Sequence, residues 1–335
     1  MPRPAAPPFP KAPFSLPPFA ILMVANFCFF MGFATFFLLP KYLITELGTT
    51  EGQVGPLMAG YGISMIACLP WVGVGSDRHG RRPYLILGAG LLALTALAFV
   101  FITALDALPY ALRGLQGIAF ACWFVNASTL AVDLVDPARR GSALGLFGVS
   151  TLVTYGAAPA LAEWIAGMRG FTPVFALAAS WCVLAGLLSL HIPVPPRAVK
   201  SGRAPRSWFR LAASPVIGRI SLNALLMGIA FGTVLVFCQP QALAKGIAPV
   251  SVLPLSFAIT SIVIRLGFSR LVDGRGQRRV LIGSLIAMAL GTGALAVIEG
   301  RAAYALCGAL VGLGHSLAYP TLNVLLINRM PAHEH

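Results

Sequence analysis

The chain has 335 residues, 58% of them hydrophobic and only 10% charged, with a formal net charge of +14 and a mean hydropathy of +0.84. A soluble domain averages about 25% charged and about 45–50% apolar residues, so this composition leaves too little polar surface to cover a water-soluble core. It implies an all-α integral membrane protein and excludes a nucleic-acid partner, because the basic residues stand in short clusters between apolar runs rather than along one face.

Residues 1–17 are proline-rich and carry Arg3 and Lys11. They lack the apolar core and small-residue cleavage site of a signal peptide, and read as a disordered cytoplasmic tail. Crossing the hydrocarbon takes ~20 mostly apolar residues. On that criterion ten spans are predicted, at about 18–40, 52–74, 83–103, 108–132, 141–166, 172–192, 216–239, 249–270, 279–298 and 302–327. Period-2 alternation is absent, so no strand competes.

Every second connection is basic: Arg78, Arg81 and Arg82; Arg139 and Arg140; Arg197, Lys200, Arg203, Arg206 and Arg210; Arg270, Arg275, Arg278 and Arg279. That pattern predicts the basic loops and both termini on the cytoplasmic side. Residues 193–215, with Pro193, Pro195, Pro196 and Pro205, predict an exposed linker. It would join a bundle of six spans (18–192) to an incomplete bundle of four (216–335).

The two parts repeat. Gly32 and Pro40 recur as Gly232 and Pro240, Asp77 and Gly80 as Asp273 and Gly276, and Asp136-Pro137 matches Met330-Pro331. Landmarks at a shift near 195–200 indicate internal duplication, a transporter feature. On this reading the second copy stops two spans early, and the C-terminal end is expected to be truncated.

The six cysteines lie singly inside apolar runs, which suggests neither disulfides nor a metal site. No phosphate-binding Gly-Lys loop, hydrolytic triad or redox centre is visible. Asn126-Ala127-Ser128 fits a glycosylation sequon but lies inside a span, and His333-Glu334-His335 is a lone terminal triplet. The chain is therefore not expected to be an enzyme or to hold a cofactor.

Gly73-x-x-x-Asp77-Arg78-x-Gly80-Arg81-Arg82, between the second and third spans, resembles the signature loop of the major facilitator superfamily of secondary transporters. Arg113-x-x-Gln116-Gly117 in the fourth span resembles that family's second motif. In the fifth span Gly148 and Gly156 keep the family's spacing, but Ala158-Pro159 replaces the Gly-Pro of antiporter members. The resemblance implies a two-bundle fold with a gating relay of Asp77, Arg81 and Asp133, flanked by Gly73, Arg78, Gly80 and Arg82. The second copy offers Asp273, Gly276 and Arg278, with Gln277 in place of Arg81 and Asn328 near the place of Asp133. The family counterpart of Asp77 meets the start of the eleventh span, so the relay is expected to be incomplete as written. A simpler alternative is that these charges only fix topology.

Charged groups at membrane depth cost about 2.5–3.5 kcal/mol and normally face a bundle interior. Arg113 lies about 8 Å into the fourth span and His315 about 18 Å into the tenth. Arg113 is the family's candidate for substrate or proton handling, or else an interfacial arginine. His315, with Tyr319 and Asn323, forms an i, i+4, i+8 stripe that could titrate or merely bond between helices. Gln116, Trp123 and Asn126 in the fourth span, Tyr155 in the fifth, Asn26 in the first and Asn223 in the seventh complete the candidate substrate or proton set. The phenylalanines of the first span (27, 29, 30, 33, 36 and 37) are expected to serve lipid contact and packing. Glu163 is placed at the outer end of the fifth span, and Arg265 is read as structural.

Taken together, these residues and the resemblance imply a monomeric inner-membrane transporter of a small molecule, working by alternating access and coupled to an ion, expected to be a proton. Efflux is favoured. Import, or a truncated non-transporting membrane protein or scaffold, are the alternatives.

Overall fold

The computed structural model describes residues 18–136, 140–193, 215–267 and 277–327. Among them every regular element is helical: α1 (Pro18–Thr35), a 3-10 turn (Phe36–Leu38), α2 (Leu39–Thr45), α3 (Glu51–His79), α4 (Arg82–Ala98) with a 3-10 turn (Phe99–Phe101), α5 (Ala107–Asp133), α6 (Arg140–Arg169), α7 (Thr172–Ser189), α8 (Pro215–Ala244), α9 (Val252–Gly267), α10 (Gln277–Ala294) and α11 (Arg301–Ile327). Among the described residues eight stretches are long and apolar enough to cross a membrane, and α9 is a shorter apolar helix. The tail 1–17, most of the linker, Asp273, Gly276, Asn328 and the terminal triplet lie outside the described residues.

The breaks follow from local chemistry. Proline lacks an N–H and its ring clashes with the carbonyl four residues back. Pro40 therefore interrupts the first span, where Phe36–Leu38 tightens into the 3-10 turn before α2 resumes. Pro83 and Pro173 stand in the first turns of α4 and α7, where no N–H is needed. Asp106 starts α5 by accepting from the Leu108 N–H at 3.0 Å. Gly80, at φ +87°, makes the turn between α3 and α4, a conformation other residues adopt only with strain.

Two compact units divide the described residues. The first lies within Met1–Thr35, Gly52–Thr151 and Arg169–Ala198. In it α1 and α4 each pack along α7, and α4 packs along α5. The second lies within Phe36–Glu51, Leu152–Met168 and Val199–His335, with α11 packed along both α9 and α10.

Close helix approach in the second unit depends on missing side chains. A Cβ at Gly308 would sit 2.6 Å from the Leu253 carbonyl oxygen, and one at Gly312 would sit 2.5 Å from that of Phe257. Spaced four apart, they form the small-residue face that lets membrane helices touch backbone to backbone. The Ser261 hydroxyl also donates to the Gly312 carbonyl at 3.2 Å. Overpacking of this kind costs about 1–3 kcal/mol. Gly312→Leu should therefore lower the thermal midpoint of the detergent-solubilised protein by several degrees, whereas Gly314→Ala, on the face toward α10, should perturb a different helix pair.

The first span departs from expectation. Phe29, Phe30 and Phe33 are buried in the first unit, and Phe36 and Phe37 in the second. They do not face lipid. Most of α1 is covered because α7, α4 and α5 lie against it, leaving Val24 exposed and Phe27 half-buried. Lipid-suited surface lies elsewhere too: Ile63, Ile66 and Trp71 on α3, and Leu222, Leu225, Leu226 and Ile229 on α8, are large, apolar and exposed.

Candidate substrate and gating sites

Arg113 is the most deeply placed cation of the first unit, 3% exposed. Its Nη1 donates to Gln116 Oε1 at 2.6 Å, one helical turn along α5, and its guanidinium lies 5.2 Å from the centroid of the Tyr61 ring on α3. Gly117 lets this meeting happen, since a Cβ there would strike the backbone of Tyr61. Arg113 Nε and Gln116 Nε2 are buried donors with no acceptor among the described residues. Beside them Phe33, Tyr61 and Phe120 form an aromatic group, with ring centroids 4.8–5.6 Å apart.

Asn26, Trp123 and the Ser150–Thr151 stretch inside α6 form a different kind of polar site. Asn26 Nδ2 donates to Ser150 Oγ at 2.9 Å and Thr151 Oγ1 at 3.0 Å, and Asn26 Oδ1 accepts from Trp123 Nε1 at 3.1 Å. Trp123 stacks on Phe29 at 4.3 Å. These groups satisfy each other and fasten α1, α5 and α6. Asn126 donates to the Cys122 carbonyl at 2.8 Å, while its Oδ1 has no partner among the described residues.

In the second unit His315 is held among rings. It stacks on Phe231 at 4.2 Å and on Tyr319 at 5.9 Å, with Phe257 edge-on at 5.6 Å. Its Nδ1 is buried without a partner among the described residues. Tyr155 lies between Phe37 and Phe257. Asn323 and Asn223 are exposed on their helices, and Asn223 bonds to the Arg219 carbonyl of its own turn at 2.8 Å.

The loop motif is more helical than its glycines suggest. Gly73, Asp77 and Arg78 lie in the last turns of α3, leaving Gly80 and Arg81 as the turn. Gly73 has open space where a Cβ would be; the close approach is at Gly75, against Tyr84. Arg81 Nη1 pairs with Asp133 Oδ2, tying the start of α4 to the end of α5. Arg82 Nη2 donates to the Ile192 carbonyl at 2.6 Å. Asp77 and Arg78 are exposed, as is Arg278 in the first turn of α10.

Sequence reasoning placed Glu163 only at a helix end. Its Oε1 accepts from Lys41 Nζ and from the Val250 N–H, both at 2.8 Å, and its Oε2 accepts from the Ser251 N–H at 2.8 Å. The side chains of Glu163 and Lys41 are 10% and 23% exposed. One carboxylate thus joins α2, α6 and the N-terminal approach to α9, where free N–H groups and the helix dipole favour an anion. The available signal was that Glu163 is the one acidic residue within the predicted span limits, with the equally isolated Lys41 following Pro40.

A family model described as Major Facilitator Superfamily matches residues 22–335. Multidrug resistance protein MdtL of Escherichia coli O127:H6 is 30% identical over 154 residues, which cover 46% of this chain and 39% of that protein. MdtL of Escherichia coli O157:H7 is 32% identical over 127 residues, 38% of this chain and 32% of that protein. The chain thus aligns with less than half the length of these curated relatives. A crystal structure of a point mutant of the nucleoside transporter NupG matches 95% of this chain and 84% of that one, with a TM-score of 0.74 at 14% identity. This last likeness is one of fold. The chain belongs to the Major Facilitator Superfamily, and is a multi-pass membrane protein of a transporter family rather than an enzyme.

Proposed function

We propose that the chain moves a small molecule across the bacterial inner membrane by alternating access, outward and in exchange for protons, as a monomer. Residues 18–192 and 216–335 act as the two moving bundles, joined by the linker at 193–215. The observation that carries the reading is the buried Arg113 with its unmatched donors, since a transport site needs a few polar groups held ready in an apolar setting. Names of relatives as multidrug resistance proteins support efflux. Ala158-Pro159 is where this chain differs from antiporter members of the family.

On the positive-inside pattern the N-terminus and the Gly73–Arg82 turn are cytoplasmic. Asp77, Arg81 and Asp133 then act as the inner gate. Glu163 lies about 35 Å along α6 from its Arg140 end at 1.5 Å per residue, which supports reading the Lys41–Glu163 pair as a second lock at the outer surface. His315, Tyr155 and Tyr319 serve the substrate or the proton in the second unit.

Sealed proteoliposomes under an imposed pH gradient test this. Three probes are offered: naphthalenesulfonate, naphthalenesulfonamide and naphthylmethyl-trimethylammonium. At least one should move faster than through protein-free liposomes, and Asp77→Asn should slow it about tenfold. Flux of none of them, or unchanged flux in Asp77→Asn, counts against the transport reading and the gate respectively.

A further inference from the structure

Among the described residues, the Arg, Lys, His, Asp and Glu side chains that lie well inside their helices and outside an ion pair are Arg113 in α5 and His315 in α11. Both are basic. Of the ten Asp and Glu residues in the chain, Glu163 alone falls within the predicted span limits, and it is engaged by Lys41 and the approach to α9.

A guanidinium buried from water is unfavourable unless paired. Among the described residues Arg113 has only the neutral Gln116 carbonyl and the Tyr61 ring as partners. Its Nε and Gln116 Nε2 add two buried donors that no acceptor among the described residues meets. The site therefore presents positive charge and donors, and no carboxylate, beside the rings of Phe33, Tyr61 and Phe120.

We infer that the substrate is an aromatic organic anion. Its anionic oxygens take the Arg113 and Gln116 donors, a charge-assisted arrangement that the planar guanidinium suits. Its ring lies against Tyr61 and Phe120. A lipophilic cation would meet Arg113 with like charge and find no carboxylate to replace it. This deepens the transport proposal and rests on it.

The test is binding, separate from flux. The thermal midpoint of the purified full chain is followed while titrating the three naphthalene probes, which share a ring system and differ in charge. The sulfonate should bind at least tenfold more tightly than the sulfonamide, and the trimethylammonium compound most weakly. Arg113→Gln should erase the sulfonate preference, so that sulfonate and sulfonamide bind with similar affinity, and Arg113→Lys should retain part of it, which guards against a variant that merely misfolds. Equal or tighter binding of the cation, or no binding that distinguishes the three, overturns the inference. Selective sulfonate binding without flux would instead count against transport while leaving the substrate class standing.

Discussion

Glu163→Gln should open the end of the second unit that α2, α6 and α9 share, and a thiol at Val250 should report it. Glutamine retains one acceptor oxygen where glutamate has two, and it has no charge for Lys41. It can keep the Val250 N–H or the Ser251 N–H, and the other is left facing an NH2 group. Hydrogen bonds to a charged group contribute about 1.5–3 kcal/mol each. The net loss after partial compensation is about 2–3 kcal/mol, or roughly a 30- to 150-fold shift in an opening equilibrium. Val250 uses only its backbone in this contact and its side chain is 2% exposed, so Val250→Cys is a silent reporter. Maleimide should label it at least tenfold faster in Glu163→Gln. Lys41→Met should give a smaller increase, because the two backbone bonds persist. Combining the two changes should add little to Glu163→Gln alone, the mark of one shared interaction. Unchanged labelling would remove the contact from the gating scheme.

This contact also shows what the sequence could and could not disclose. Membrane spans are legible because hydrocarbon thickness imposes length and apolarity on each one locally: among the described residues eight of the ten predicted spans are helices of that length and apolarity, although Pro56, Pro70, Pro159, Pro240 and Pro320 lie inside helices rather than ending them. The turn at Gly80 and the Arg81–Asp133 pair were legible through a motif with fixed spacing. Glu163 was not, since its partners stand 122 and 87 residues away and are a lone lysine and two backbone amides that no pattern marks. Burial of the first span was hidden for a different reason. A helix apolar on every side reads alike whether lipid or protein surrounds it, and only the packing of α7, α4 and α5 on α1 decides. Hydrogen bonding likewise separates residues that look equivalent in sequence. Asn26 and Trp123 complete each other across α1 and α5, whereas Gln116 and Arg113 leave donors unmet.

That difference leads to the largest predicted effect on transport: Arg113→Met should stabilise the protein while removing its activity. A structural arginine behaves in the opposite way. Taking one partner from a satisfied buried ion pair destabilises by about 3–5 kcal/mol, whereas replacing buried charge by apolar groups of similar volume often stabilises by about 1–4 kcal/mol. Among the described residues Arg113 has no carboxylate partner whose loss would leave a bare charge. Methionine fills a similar unbranched volume and its sulfur suits the edge of the Tyr61 ring. The one group left short is Gln116 Oε1, which loses its donor at about 1–3 kcal/mol, so Arg113→Met with Gln116→Leu should be the more stable variant. Thermal midpoints should rise by a few degrees in the double variant and hold or rise in the single one. Flux of the preferred probe should fall at least a hundredfold in both, because the charge that meets the substrate is gone. A fall in midpoint by several degrees would make Arg113 a structural residue, and retained flux would place the substrate elsewhere. Arg113 is kept, on this account, at the expense of the fold and for the sake of what it binds, the usual relation between stability and an active site.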